Sequence, residues 1–225
     1  MTNYKINVVS DTVCPWCYIG KKRLDVAIKE HQAQNPQDTF TTSWYPFYLN
    51  PDAPKSIDKM AYYEKKFGVD RTRMIQGHMK KIGEQYGINF GWDGKTGNTR
   101  DSHRLIQLAK TKGEAVQTRV MLELFNMYFE ANEDITSVDA LIARGVKGGL
   151  DEAEVKDWMT TGKGGAEVDK EVAQAQRRFI SGVPNFTIND KYEVRGAEEP
   201  AAFLEIFESI KESDESGRVI QGQQC

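Results

Sequence analysis

The chain has 225 residues, and its 30 Lys and Arg against 33 Asp and Glu leave a formal charge of −3 at pH 7. That near-balance argues against a nucleic-acid binder, which would carry a basic stripe, and a content of 39% apolar and 28% charged residues excludes a disordered or fibrous chain. The longest apolar runs, such as Val8-Val9, fall far short of the roughly 20 residues that cross a bilayer, so no membrane span is expected.

In chain order, the β-branched residues Ile6, Val8 and Val9 before Ser10-Asp11 predict a strand over 5–10. A helix is expected over 15–31, with Pro15 in its first turn, where a missing N–H costs nothing. The aromatic and β-branched run 39–49 predicts a second strand ended by Asn50-Pro51, its Trp44 to Tyr48 stretch read as core and strand edge. From 56 to 165 the pattern turns to helical blocks, broken at Gly87–Gly97, Gly113, Asn132–Ser137 and Gly148-Gly149. The clearest is 114–130, where Val116, Val120, Leu124 and Met127 share a face.

Helical spacing resumes over 166–180 until Gly182-Val183-Pro184 breaks it. Strands at 186–188 and 192–195 then flank the turn Asn189-Asp190, and a helix over 198–212 precedes a polar tail. The order favours one α/β sheet built from both chain ends. A thioredoxin-like domain from 1–52 and 180–213 would then be interrupted by an all-helical insertion, 53–179, and followed by a flexible tail, 214–225.

Cys14-Pro15-Trp16-Cys17 sits where the first strand meets the first helix, the place of a redox CxxC. At a helix N-terminus the unpaired N–H groups favour the thiolate, so Cys14 is the expected nucleophile and Cys17, one turn further in, the resolving thiol. Two other readings of the pair stand beside this one. A zinc site needs further ligands, and only Cys225, His31, His78 and His103 remain, all distant in sequence, so no metal is expected. A pair of inert core cysteines is the other. Trp16 between the cysteines is either a substrate contact or packs on the insertion, and Lys21-Lys22-Arg23 reads as a solvated helix face that would attract an anionic thiol. The first ten residues hold no apolar run of signal-peptide length, so a reducing cytoplasm is the expected compartment. Cys225 reads as a bystander thiol or, carried on a flexible tail, as a disulfide partner of Cys14 or of another chain.

Taken together, Asp11-Thr12-Val13-Cys14-Pro15-Trp16-Cys17-Tyr18-Ile19-Gly20, Pro46 to Pro51, Asn98 to Leu105 and Ser181-Gly182-Val183-Pro184 resemble the DsbA-like thioredoxin superfamily. Within it the chain is most similar to the FrnE-like branch, related to hydroxychromene carboxylate isomerases and kappa-class glutathione transferases. The resemblance implies a cis Val183-Pro184 bond against the CxxC, whose Val183 backbone would pair with a substrate strand or glutathione, with Pro184 beside it. It also implies that Asn98 and His103 begin a helix near the active site, as pocket residues or as a cap and a solvent-facing side chain. Asn185 departs from the Thr often found after that proline.

The expected activity is thiol-disulfide exchange on protein or small-molecule disulfides, in a cytosol as reductase or isomerase. No bound cofactor is expected, with glutathione as a candidate co-substrate. A glutathione-dependent isomerase or transferase and a non-enzymatic binding or chaperone module are the alternatives.

Overall fold

A computed structural model describes the backbone of residues 1–222 and the side chains of 1–213. Strand β1 (Asn3–Ser10), helix α1 (Pro15–Gln34) and strand β2 (Thr39–Pro46) form the opening unit. β1 and β2 are parallel, in register from Asn3 opposite Thr39 to Ser10 opposite Pro46, and α1 supplies the long crossover that a parallel pair requires.

The chain then runs through β3 (Ile57–Asp58), α2 (Lys59–Phe67), α3 (Val69–Gln85), β4 (Lys95–Thr96), α4 (Arg100–Lys110), α5 (Glu114–Phe129), α6 (Val138–Lys147), α7 (Glu152–Thr161) and α8 (Gly165–Arg177). It returns to the sheet with β5 (Asn185–Ile188) and β6 (Tyr192–Arg195) and closes on α9 (Pro200–Gly222). The sheet order is β2-β1-β5-β6, with β5 antiparallel to both β1 and β6. Both chain ends therefore build one α/β sheet, as the element order predicts.

Two expectations need correction. The insertion is not all helical: β3 and β4 form a two-residue antiparallel ladder, Ile57 opposite Thr96 and Asp58 opposite Lys95. Runs this short leave no periodicity to read. The ladder is apart from the main sheet, and the loop beside it depends on Gly94, at φ 87°, where a Cβ would lie 2.2 Å from the Asn132 carbonyl oxygen. The last helix does not stop at 212 but continues to Gly222, since no proline interrupts 211–222. Of the expected tail, Cys225 lies outside the described residues.

Buried aromatics join the sheet to its helices. Tyr4 of β1, Phe186 of β5, and Phe203 and Phe207 of α9 are almost fully enclosed, and Tyr18 on α1 stacks on Phe125 of α5 at 5.0 Å between centroids. β2 is an edge strand, and an edge leaves backbone groups unpaired. Gln117 of α5 answers two of them: its Oε1 accepts from the Trp44 N–H at 3.0 Å and its Nε2 donates to the Trp44 carbonyl at 2.9 Å. A side-chain amide stands in for a neighbouring strand there and locks the insertion to the sheet.

Candidate active site

The loop between β1 and α1 is held from three sides. The Cys14 N–H donates to the Asp11 carbonyl at 3.1 Å, the Leu49 N–H to Asp11 Oδ2 at 2.8 Å, and the Thr12 and Ser102 hydroxyls meet at 2.8 Å. Cys14 is the N-cap of α1 in extended conformation and Pro15 follows at the first helical position. The Cys14 side chain makes no cap hydrogen bond. Cys17 lies one turn on, its N–H donating to the Cys14 carbonyl at 3.0 Å.

Both cysteines are free thiols, 3% and 1% exposed. Across from them Val183-Pro184 is cis, and the Cys14 thiol approaches the Val183 carbonyl oxygen at 3.6 Å. Helix and loop approach closely at Gly20, where a Cβ would lie only 3.1 Å from both Pro184 Cγ and Phe186 Cζ. Burial, then the neighbouring Cys14, pushes the Cys17 thiol well above its ordinary value, outweighing the Ser10 hydroxyl and the Asp11 backbone. Cys17 is thus held protonated.

Cys14 opens onto a cavity of about 660 Å³. One wall is the loop and sheet side, with Asp11, Val13, Cys14, Pro15, Trp16 and Val183. The other comes from the insertion: Tyr62, Tyr63, Lys66 and Phe67 of α2, Arg71, Met74, Ile75, His78 and Met79 of α3, and Thr96, Gly97, Thr99 and Tyr128. Several polar groups of this lining are already engaged. Tyr128 donates to Thr96 Oγ1 at 2.9 Å, and Tyr62 Oη accepts from Asn50 Nδ2 at 3.1 Å. Burial, followed by the proximity of Cys14, pushes the Tyr63 phenol up. Behind the wall, the buried Lys59 donates to the Tyr128 carbonyl at 2.6 Å, and burial brings its ammonium down to about 8.

Of the residues singled out from the sequence, Cys14, Pro15, Trp16 and Val183 line this cavity, with Cys17 and Pro184 directly behind them. Trp16 is 36% exposed, lines the cavity and faces His78 of the insertion, ring to ring at 5.8 Å. Asn98 and His103 are placed differently from a pocket role. The Asn98 side chain accepts from the Arg100 N–H at 2.9 Å, a local turn at the start of α4, while its neighbours Gly97 and Thr99 reach the lining. His103 is not solvent-facing: it is 3% exposed, with Nε2 3.2 Å from the Phe47 carbonyl and 3.4 Å from Asp11 Oδ1. It fastens α4 to the loop that carries Cys14.

The expected solvated face Lys21-Lys22-Arg23 is also corrected. Lys21 and Arg23 are buried, Lys21 paired with Asp25 and Arg23 with Glu199 and the Ala197 carbonyl. Sequence reasoning missed the α2 and α3 wall; the aromatic cluster Tyr62, Tyr63 and Phe67 in one short helix was the available signal. Among the described residues, no three His, Cys, Asp or Glu side chains converge as metal ligands do.

The DsbA-like thioredoxin domain matches residues 5–208. The chain belongs to that family. As a member, it is a thiol-disulfide oxidoreductase. It is 26% identical over 191 residues to the uncharacterized protein YwbO of Bacillus subtilis, covering 82% of this chain and 86% of that protein. Its fold is similar to that of a probable DsbA oxidoreductase from Streptomyces coelicolor, with a TM-score of 0.80 at 23% identity over 92% of this chain and 89% of the other. It is also similar in fold to the cytosolic disulfide reductase DsbM of Pseudomonas aeruginosa, solved with GSH, with a TM-score of 0.58 at 14% identity over 95% and 98% of the two chains.

Proposed function

We propose that this family member reduces or isomerises disulfides through Cys14 and Cys17. The observation that carries the reading is their asymmetry: Cys14 lines the cavity 3.6 Å from the Val183 carbonyl, while Cys17 stays behind it and protonated. The Cys14 thiolate attacks one sulfur of a substrate disulfide, forming a mixed disulfide, and the other substrate sulfur leaves as a thiolate. Cys17 then gives up its proton and attacks the Cys14 sulfur. The Cys14–Cys17 disulfide forms and the second substrate thiolate is released, so two electrons pass to the substrate.

Thiols such as glutathione would return the pair to the dithiol, which suits a reducing cytoplasm; the similarity to a cytosolic reductase solved with GSH supports both points. No described helix is long and apolar enough to cross a membrane. Attack with no resolving step would instead serve a glutathione-dependent isomerase, a reading that the apolar cavity beside Cys14 favours but that leaves the Cys17 thiol without a role.

Reaction of the reduced protein with a model disulfide, followed by mass spectrometry, tests the assignment. Cys17→Ser should accumulate a mixed disulfide at Cys14, and Cys14→Ser should form none. Full turnover by Cys17→Ala without an adduct would replace this mechanism by the isomerase one.

A further inference from the structure

The cavity also carries information about what disulfide enters it, and that inference rests on the exchange reaction above. Its insertion wall is aromatic and aliphatic, and the hydroxyls of Tyr62 and Tyr128 are turned to Asn50 and Thr96. What the ligand meets from these residues is largely ring surface. At the same wall stand two cations, Lys66 and Arg71, which lie over the Phe67 ring at 5.5 and 5.8 Å. Neither has an acidic partner among the described residues. Lys66 also donates to the Tyr62 hydroxyl at 3.4 Å, and both cations line the cavity, where each can meet an anionic group of a ligand through a charge-assisted hydrogen bond.

The single acid of the lining, Asp11, does not cancel them. Its Oδ2 is bound by the Leu49 N–H and its Oδ1 lies 3.4 Å from His103 Nε2, on the loop side of the cavity. Cys14 on one wall, an apolar interior, and a cation pair on the opposite wall define a ligand with three matching parts. A cavity of about 660 Å³ is of the size that small organic molecules occupy.

We propose that the substrate is a small organic disulfide with an aromatic or similarly apolar body and a carboxylate or comparable anionic group. The disulfide faces Cys14, the body fills the cavity, and the anion sits at Lys66 and Arg71. Extended polypeptide would use the Val183 edge and leave this wall uncovered.

Three disulfides test this in single-turnover oxidation of the pre-reduced protein: dithiobis(nitrobenzoate), aromatic with a carboxylate on each ring; dithiodipyridine, aromatic and uncharged; and a disulfide-bonded peptide. Each rate is divided by that of the same disulfide with dithiothreitol, which removes its intrinsic reactivity. The nitrobenzoate disulfide should be favoured over dithiodipyridine by about tenfold or more, and Lys66→Gln with Arg71→Gln should erase that ratio. Nitrobenzoate, which lacks sulfur, should shield Cys14 from iodoacetamide in the wild type and not in the double variant. A wild-type ratio near one, a ratio that survives both replacements, or a faster normalised rate on the peptide overturns the proposal. If none of the three disulfides oxidises the Cys14-Cys17 pair, it is the exchange reaction itself that fails.

Discussion

The two walls that meet at Cys14 are built on different terms. On the sheet side the chain is pinned: Asp11, Thr12 and Cys14 are buried and tied by backbone and side-chain hydrogen bonds to Leu49, Ser102 and one another. On the insertion side α2 buries only Lys59, and α3 only Thr72, Met79 and Gly83, whereas α4 buries seven of its residues. A thiol that must meet its partner in fixed geometry belongs on the first kind of wall. A surface that selects among ligands can stand on the second, since shallowly buried elements accept side-chain changes without unfolding.

The contrast breaks if chemistry is lost from the wrong wall. Cys14→Ser should remove exchange by on the order of 10³ or more, because a hydroxyl at neutral pH supplies no comparable nucleophile. Phe67→Ala, across the cavity, should keep Cys14 reactive toward iodoacetamide and shift the concentration dependence of disulfide reduction instead. Loss of alkylation at Cys14 in Phe67→Ala would mean that the two walls are not separable.

A smaller effect sharpens the comparison at the anchor of the insertion wall. Lys59 is 2% exposed and its ammonium is brought down to about 8, chiefly by burial. The unfolded chain keeps that proton to about pH 10.4, so between roughly pH 8 and 10.4 the unfolded state binds more protons and stability rises with pH. The rise amounts to about 3 kcal/mol. Urea midpoints for wild type and Lys59→Met should therefore diverge across this window, with the slope absent in the variant. Parallel curves would mean the buried ammonium is better solvated than its position implies.

On the sheet side the sign reverses. Burial alone would push the Asp38 carboxyl up, but the Thr2 amide, His31 and Lys211 outweigh it and hold it at about 2. Its stabilisation, about 2.6 kcal/mol, is present above the unfolded value near 3.9 and is lost as pH falls toward 2. Asp38→Asn should be less stable at neutral pH and approach the wild type near pH 2. A gap that does not narrow on acidification would rule out the carboxylate charge as its source.

How much of this was legible beforehand follows the same division. The CxxC, the strands flanking it and the Val183-Pro184 turn carry local signals, because a strand, a helix start and a proline each leave a mark within a few residues. The pairing of Trp44 with Gln117 joins residues 73 apart, and a lone Gln in a helix has no pattern to betray it. Lys21 and Arg23 read as solvated because charge is usually exposed, yet partners at Asp25, Ala197 and Glu199 admit them to the interior. His103 and Asn98 belong to a motif near the site, but helix phase turns the first toward the Asp11 loop, and the second, ahead of α4, accepts from the Arg100 N–H in a local turn. The cavity wall was hidden because α2 and α3 are distant in sequence from Cys14, and only their folding across from it brings Tyr62, Phe67 and Met74 to the same cavity.

Met74 gives the finest separation of the two walls. It lines the cavity and is 68% exposed, so little of it is committed to the fold. Met74→Gln keeps the length of the side chain and its helix propensity while replacing the thioether with an amide. A surface change of this kind moves stability by no more than about 0.5 kcal/mol. An apolar ligand that covers the side chain would lose part of its burial, at roughly 25 cal/mol per Å², which for some 40 Å² is about 1 kcal/mol and a fivefold weaker association. Single-turnover oxidation by an aromatic disulfide should then need about fivefold more disulfide to reach half its limiting rate, with the limiting rate itself unchanged. If the limiting rate falls instead, Met74 acts on the reacting sulfur, and selectivity and chemistry share one wall after all.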